Sequence, residues 1–221
     1  YQLDNLDFEV TGKESVIAEL EVARAYWYYI LCEAFGNVPI VDRFDVPEGF
    51  LPETSSREEV FAFIENSIKN NVDKLSDDTK TYYGRFNKWN AKMLLARLYL
   101  NAESWIGKNM YTECMALCTE IMNSNKYALE NDYSAPFYAQ NEGSQEIIFA
   151  YPADEVKTGS TIYMALQKTL HPSNVKTFNL QTWLDNGVCA VPTFIDTYEE
   201  GDKRLPKTWR MGQQYGSDGS I

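Results

Sequence analysis

Aromatic, acidic and amide side chains stand close together in residues 182–187, which read Thr-Trp-Leu-Asp-Asn-Gly. Sugars present apolar C–H faces on which aromatic rings stack, and hydroxyl edges to which carboxylates and amides bond. Trp183 supplies such a ring, and Asp185 and Asn186 supply such polar groups, so this turn-prone segment is a candidate carbohydrate-binding loop. An ordinary Asn-Gly turn beside a tryptophan that anchors the core explains the same residues equally well. Two further aromatic residues from the same region are candidates for ligand contact: Tyr163 and Trp209.

Residues suited to catalysis are harder to find. The single histidine, His171, precedes Pro172 and is predicted to lie in an exposed loop, with no nucleophile motif near it. The sequence contains no P-loop, GxGxxG, HExxH or EF-hand pattern. Glu146 and Asp185 could form a glycosidase-like acid pair, but 32 acidic residues produce candidate pairs by chance. We therefore expect no catalytic residues, no metal ligands and no cofactor.

The composition argues against nucleic acid as a partner. With 20 basic and 32 acidic residues, a net charge of -12, the chain repels nucleic acid and anionic lipid headgroups. A hydrophobic content of 44% over 221 residues is sufficient for a core in one or two domains. The four cysteines lack CxxC spacing, and Cys114 and Cys118, one helical turn apart, are predicted to be small buried hydrophobic residues.

Four segments have the periodicity of helices that could position these residues. The first helix is predicted to end at Gly36, and the second to begin at Ser56, which forms a capping box with Glu59. The third, residues 88–102, is apolar on almost every side and is predicted to lie between other helices. The apolar stripes predicted for the first, second and fourth helices are, in turn, Val16, Leu20, Ala23, Trp27, Ile30 and Ala34; Phe61, Ile64, Ile68, Val72 and Leu75; and Tyr111, Cys114, Cys118 and Ile121.

Helices joined by modest loops favour antiparallel helix pairs. A short echo supports a repeat, because Ala-Arg-Ala-Tyr at residues 23–26 recurs as Ala-Arg-Leu-Tyr at residues 96–99. The separation is near twice the ~34-residue period of tetratricopeptide (TPR) units. We therefore predict a mainly α fold in which TPR-like antiparallel helix pairs form a scaffold over residues 1–150.

The chain changes character in its last third. Residues 145–151 are predicted to be a short strand or extended run, and beyond residue 152 helical periodicity is mostly lost, apart from a short helix near residues 193–199. A long irregular segment beside a regular scaffold is often functional, so residues 151–221 are predicted to be a loop-rich ligand-binding segment.

The sequence starts at Tyr1 and has no signal peptide, lipobox or transmembrane run, so we expect an internal fragment of a longer protein.

Four motifs follow one another along the chain. They are an Arg-Ala-aromatic helix with a Phe-Gly-x-x-Pro exit (residues 23–29 and 35–40), a second helix-pair signature (residues 83–91 and 95–102), a Gln-Glu-Ile-Ile strand (residues 145–149), and a Phe-containing helix before a Gly-Asp-x-Arg turn (residues 194–196 and 201–204). This ordered set, which extends from about residue 15 to residue 204, resembles the SusD/RagB family of glycan-binding outer-membrane lipoproteins.

The resemblance implies a TPR-helix scaffold with a loop-rich region that captures oligosaccharides without cleaving them. It also implies a surface-exposed protein of the outer membrane that caps a TonB-dependent transporter of the SusC type, with its lipid anchor outside the present sequence. A TPR-type adaptor that binds protein partners is the alternative, and it would place exposed aromatic residues on helix faces. Peptide and glycopeptide ligands are also open within the family.

One departure from the family pattern bears on the ligand. In the starch-binding member, a sugar-stacking tryptophan directly follows the Asn-Gly of the binding loop, whereas here Val188 follows Asn186 and Gly187. A second stacking tyrosine of that protein falls in a gap just after Thr158. The resemblance therefore implies a glycan other than starch, whose identity the sequence does not predict.

Overall fold

The computed structural model describes residues 11–152, 164–215 and Gly219 of the chain. These residues form two compact units, one containing residues 11–131 and 135–150, the other residues 132–134 and 151–152 with the described residues from 164 onward. The elements of the first unit are α1 (Lys13–Phe35), β1 (Val38–Pro39), β2 (Thr54–Ser55), α2 (Arg57–Lys69), α3 (Lys88–Ile106) and α4 (Tyr111–Asn123). Those of the second are α5 (Met164–Thr169), α6 (Asn174–Thr177), α7 (Pro192–Ile195) and α8 (Arg204–Thr208).

Local sequence signals explain where the long helices begin and end. The capping box predicted at Ser56 is confirmed, because the Ser56 hydroxyl accepts the Glu59 N–H at 3.3 Å and the Glu59 carboxylate accepts the Ser56 N–H at 2.7 Å. A second capping box, formed by Asn87 and Asn90, begins α3 and was not predicted. The predicted end of α1 at Gly36 is also confirmed.

Gly36 suits the exit of α1 because its φ of 74° lies in the left-handed region that favours glycine. It also lies close to Arg57, since a Cβ atom at this position would be 2.8 Å from a terminal nitrogen of that side chain, whose flexible end would have to move. The close approach joins the end of α1 to the first residue of α2.

The long helices run antiparallel to their neighbours, as predicted. Arg57, at the start of α2, lies over the ring of Trp105 near the end of α3, with 5.7 Å from its guanidinium carbon to the ring centre. Lys92, near the start of α3, pairs with Glu120 near the end of α4. Gly36 and Arg57 join the end of α1 to the start of α2 in the same way. Alternating ends in contact are what antiparallel helix pairs require.

The buried face of α2 agrees with the predicted stripe, whereas that of α1 does not. Phe61, Ile64 and Ile68 are buried in the core. In α1, however, Leu20 and Trp27 of the predicted stripe are each 56% exposed. Apolar residues surround most of α1, so spacing alone did not identify the buried face. The face that packs on the other helices is formed by Ala18, Val22, Ala25, Tyr29 and Cys32.

Helix α3 lies between α2 and α4, as predicted, but it is not buried on every side. Leu95 and Leu98 are buried, whereas Leu100 is 57% exposed, so α3 keeps a solvent-facing side. The helix also continues beyond the predicted residue 102 to Ile106. In α4 the predicted burial of Cys114 and Cys118 is wrong, since both are half-buried.

The remaining segments are largely irregular. Residues 145–149 belong to no strand and are fixed instead by contacts such as the stacking of Phe149 on Phe86, with ring centres 4.8 Å apart. The described residues beyond 152 are mostly loop, as predicted, and α7 (Pro192–Ile195) is the short helix expected near residues 193–199. The two-residue antiparallel pairing of β1 with β2 was not predicted. Within the described part of the chain, no helix combines the length and apolar character needed to span a membrane.

Candidate ligand-binding site

The candidate loop of residues 182–188 is fixed against α5 and the residue that follows it. Leu184 is buried and anchors the loop, so the adjacent Trp183 and Asp185 face outward. Three backbone N–H groups of the loop donate to carbonyls of this helix end. They are Asp185 N to Gln167 O at 3.0 Å, Asn186 N to Leu170 O at 3.1 Å and Val188 N to Lys168 O at 2.8 Å. The loop is therefore held in one conformation before any ligand binds.

Trp183 does not anchor the core. Its side chain is 57% exposed, and the core contact of this loop is made by Leu184. The Lys168 ammonium lies 5.6 Å from the centre of the Trp183 ring and donates to an Asp185 carboxylate oxygen at 2.5 Å. The three side chains form a surface cluster in which the ring and the acid are both held by one lysine.

A cavity of about 680 Å³ lies beside this loop in the second unit. Of the residues predicted from sequence, Asn186 and Trp209 line it, whereas Trp183 and Asp185 do not. Tyr163, the remaining candidate, lies outside the described residues. The apolar part of the wall contains Leu170, Val188, Ala190, Pro192, Ile195 and Met211.

Trp209 contributes to the wall while taking part in an aromatic cluster. Its indole N–H donates to the Tyr198 hydroxyl at 3.1 Å, and its ring meets the Phe194 ring edge to face, with centres 6.1 Å apart. The ring is half-buried. These contacts fix its orientation, so Trp209 serves as a rigid part of the cavity wall.

The Gly-Asp-x-Arg motif of the sequence is structural and positions α8, which precedes Trp209. The Asp202 carboxylate accepts the backbone N–H of Arg204 at 2.8 Å and bonds its guanidinium group at 2.5 to 3.1 Å. Hydrogen bonds from the Arg204 side chain and backbone lower the pKa of Asp202 below its ordinary value. Gly201, with a φ of 83°, makes the turn that precedes this pair.

Several polar residues of the wall were not identified as site residues from sequence, among them Asn174 and His171. Asn174 is 1% exposed, and its side-chain nitrogen has no hydrogen-bond partner among the described residues. His171, predicted to be an exposed loop residue, is instead half-buried in the wall. The Nδ1 atom of His171 accepts the backbone N–H of Ser173 at 3.2 Å, so the neutral ring carries its proton on Nε2. No sequence pattern marks the burial of Asn174, the first residue of α6, because the wall of which it is part combines residues distant in the chain.

The carboxylates considered for catalysis each have a structural partner. An oxygen of Glu146 accepts the backbone N–H of Glu130 at 2.9 Å, within the first unit. Asp185 is paired with Lys168 in the second unit. Among the described residues, no three His, Cys, Asp or Glu side chains are grouped so that they could hold a metal ion.

The described residues define a mainly α-helical class of protein, with a scaffold of antiparallel helix pairs and a loop-rich unit whose polar and aromatic cavity could hold a ligand. Comparisons with known proteins narrow this class. A SusD-like family model, described as starch-binding and associating with the outer membrane, matches residues 2–100. The starch-binding protein SusD of Bacteroides thetaiotaomicron is 30% identical over 156 residues, which cover 66% of this chain and 27% of that protein. A SusD-like protein of Bacteroides ovatus is 26% identical over 145 residues, or 63% of this chain and 26% of that protein. The family-model match and these relatives support a SusD-like protein.

Solved structures show the same fold. A laminarin binding SusD-like protein matches with a TM-score of 0.59 and 22% identity, over 67% of this chain and 32% of that structure. A SusD superfamily protein from Bacteroides fragilis matches with a TM-score of 0.61 and 20% identity, over 72% of this chain and 34% of that structure. The chain thus spans about a quarter of the length of its curated relatives and about a third of these solved structures. The TPR-like helical fold predicted from the sequence is confirmed.

Proposed function

We propose that the protein to which this chain belongs captures an oligosaccharide at the cell surface, without cleaving it, in the cavity of the second unit. The observation that carries the proposal is the cavity itself, with a fixed indole ring at Trp209 and amide groups at Asn186 and Asn174. Its volume of about 680 Å³ lies within the range typical of small-ligand sites. Similarity to a family model described as starch-binding supports the same ligand class.

The polar groups of the wall suit sugar hydroxyls. The buried Asn174 amide lacks a protein partner, and a ligand oxygen would supply one at a site where an unpaired group costs about 1–3 kcal/mol. The Asp196 carboxylate lines the cavity and is free to accept from hydroxyl groups. Apolar residues such as Ile195 and Val188 complete the wall and can contact the C–H faces of sugar rings.

Trp183 extends this site along the surface. It is three residues from Asn186, and the same α5 end positions both, since Lys168 contacts Trp183 and Leu170 accepts the Asn186 N–H. An oligosaccharide longer than the cavity would therefore meet the Trp183 ring. Asp185, which remains accessible beside Lys168, would bond hydroxyls of the same sugar. Tyr163 is retained as a candidate from the sequence alone.

Starch is not the expected ligand. The position that follows Asn186 and Gly187 is Val188, an aliphatic residue that lines the cavity and offers no ring for stacking. The proposed ligand is therefore a different glycan, which enters a site formed by Trp209 and the polar wall.

The cellular setting is proposed from the family. The description of the family model refers to the outer membrane, and we infer a surface lipoprotein whose lipid anchor lies outside this sequence. Its partner is proposed to be a TonB-dependent transporter of the SusC type, which receives the captured glycan. We propose residues 1–150 as the helical scaffold and residues 151–221 as the ligand-binding segment.

Calorimetric titration of the full-length protein with a panel of oligosaccharides tests this function. We expect saturable binding of at least one glycan and no release of reducing ends during prolonged incubation, because the described cavity wall contains one carboxylate, Asp196, whereas glycoside hydrolysis uses a pair. Reducing ends that disappear when one carboxylate is replaced would instead establish a glycosidase. Binding to no glycan would contradict the proposal.

A second candidate, a TPR-type adaptor for a protein partner, is favoured by one observation. Helix α1 carries exposed apolar residues along one side, including Leu20, Trp27, Leu31 and Phe35. Exposed aromatic residues on a helix face are what an adaptor requires. If this function holds in place of glycan capture, Trp27→Ala in the full-length protein would abolish capture of its protein partner, and no glycan of the panel would bind. Unchanged capture would exclude this face as the contact.

A further inference from the structure

We propose that the cavity of the second unit prefers an acidic glycan, whose sugars carry a carboxylate or a sulfate, and that Arg210 binds the anionic group. The inference rests on the proposed function and specifies its substrate class. It begins from the charged groups of the cavity wall, which contains one arginine, Arg210, and one carboxylate, Asp196, among its described residues.

Arg210 is the basic residue of the wall, and its charge is not paired. No carboxylate among the described residues lies within ion-pair distance of it, and its side chain contacts Gln214 and the Phe178 ring. Other basic residues of the same unit are neutralised, namely Lys168 by Asp185, Arg204 by Asp202 and Lys207 by Asp132. An unpaired guanidinium group in a cavity wall is a site for a ligand anion.

The guanidinium group is held in position before ligand binding. Its Nε–H donates to the Gln214 side-chain oxygen at 2.9 Å, and its carbon lies 5.2 Å from the centre of the Phe178 ring. Gln214 is itself fixed, because its amide nitrogen donates to the Gly212 carbonyl at 2.8 Å. Since Nε is engaged, the terminal nitrogens remain as the paired donors that match two oxygens of a carboxylate or sulfate.

Neighbouring groups add donors to the same wall. Asn174 lies in α6, and its carbonyl accepts the backbone N–H of Phe178 at 3.0 Å. The ring of Phe178 is the one that contacts Arg210. The Asn174 side-chain amide has no partner, and His171 keeps its Nε2–H as a donor because Nδ1 accepts from Ser173. The wall that contains Arg210 thus also contains donors that an oxygen of the ligand would satisfy.

Asp196 does not cancel this preference. It lines the cavity but forms no ion pair with Arg210, so the two charges are separated in the wall. A sugar acid satisfies both, since its anionic group pairs with Arg210 while its hydroxyl groups donate to Asp196. A neutral sugar leaves the arginine without a counter-charge.

The test compares ligands that differ in charge alone. Full-length protein is titrated with oligogalacturonate and with the same oligomer after reduction of its carboxyl groups, and with a sulfated galactan oligomer and its desulfated form. We expect at least one acidic form to bind at least tenfold more tightly than its neutral counterpart, with a difference that shrinks as salt is added. The two pairs separate carboxylate from sulfate as the recognised group.

Two variants assign the effect to Arg210. Arg210→Gln should abolish the preference, whereas Lys203→Gln, which removes the same charge from an exposed residue outside the cavity wall, should leave it intact. Thermal melts of both variants check that the fold is kept. Equal affinity for acidic and neutral forms, or equal effects of the two variants, would overturn the inference. Binding of neutral glycans alone would do so while leaving the proposed function in place, and binding of no glycan would overturn both.

Discussion

The ammonium group of Lys168 lies over the ring of Trp183, 5.6 Å from its centre. Because Lys168 also bonds Asp185, the three side chains are arranged together at the surface rather than in the core. The buried member of this loop is Leu184, which leaves the Trp183 ring 57% exposed. The arrangement distinguishes between the two interpretations of Trp183 that the sequence left open, because a core anchor would be buried.

Trp183→Ala should therefore affect binding and not stability. Loss of an exposed aromatic contact should weaken glycan binding by about 1–3 kcal/mol, with the melting temperature of the full-length protein nearly unchanged. Trp105→Ala is the matched control, since Trp105 packs against buried Tyr29 with ring centres 5.4 Å apart. That variant should lose about 3 kcal/mol of stability and keep its glycan affinity. A lowered melting temperature with unchanged affinity for Trp183→Ala would contradict this assignment.

Leu95→Ala tests the packing of α3. Leu95 is buried in the core between α2 and α4, so its truncation should reduce the free energy of unfolding by about 2–5 kcal/mol. Leu100→Ala, an identical change at an exposed position of the same helix, should alter it by less than about 0.5 kcal/mol. Denaturant unfolding of the full-length protein measures both, and equal effects would mean that α3 packs through a different face.

Two tyrosines, Tyr127 and Tyr99, should respond in opposite directions to the loss of the hydroxyl group. The Tyr127 hydroxyl is buried and has no partner among the described residues, whereas the Tyr99 hydroxyl donates to Glu65 at 2.7 Å. Tyr127→Phe should therefore stabilise the protein by about 1 kcal/mol at neutral pH, and Tyr99→Phe should destabilise it by a similar amount. Unfolding free energies at pH 7 give the comparison, and destabilisation by both changes would show that Tyr127 has an unseen partner.

The buried hydroxyl group of Tyr127 also predicts how the free energy of unfolding depends on pH. Burial raises the pKa of Tyr127 from 10.0 to about 12. Since the folded-state pKa lies above the unfolded one, the protonated hydroxyl contributes stability that is fully present below pH 10 and is lost as the pH rises toward about 12. In Tyr127→Phe, stability should decline less steeply over this interval than in the wild type. If the stability of the variant and of the wild type declined in parallel over this interval, the Tyr127 hydroxyl would be exposed to water.

The features that were predicted correctly from the sequence are those that depend on residues close together in the chain. The capping box at Ser56 and the end of α1 at Gly36 follow from side chains and backbone angles within one turn. The predicted buried face of α1 was wrong because hydrophobic residues surround most of the helix. Tyr29 is buried and Trp27 is exposed, and this difference depends on contact with another helix. Local pattern cannot supply that information.

The residues of the candidate site also fall into two groups, those that a local sequence pattern indicates and those that it does not. Asn186 and Trp209 were identified because an Asn-Gly turn and a tryptophan in an irregular segment are visible in the sequence. Asn174 and His171 were missed as site residues, since the cavity wall combines them with residues distant in the chain. No sequence motif contains Arg210, so the sequence did not single it out. That its charge is unpaired becomes evident once the ion pairs of the unit are known from the structure.

The central claim, that the cavity binds the glycan, is tested most directly by removing a side chain from its wall without changing the backbone. Asn186 and Asn179 are both exposed and have nearly equal positive φ angles of 51° and 49°, but Asn186 alone of the two lines the cavity. Glycine suits this backbone conformation at either position. Calorimetric titration of the bound glycan should show that Asn186→Gly weakens affinity about fivefold, the loss of roughly one hydrogen bond, whereas Asn179→Gly binds like the wild type. Equal affinities for both variants and the wild type would contradict the claim that this cavity holds the ligand.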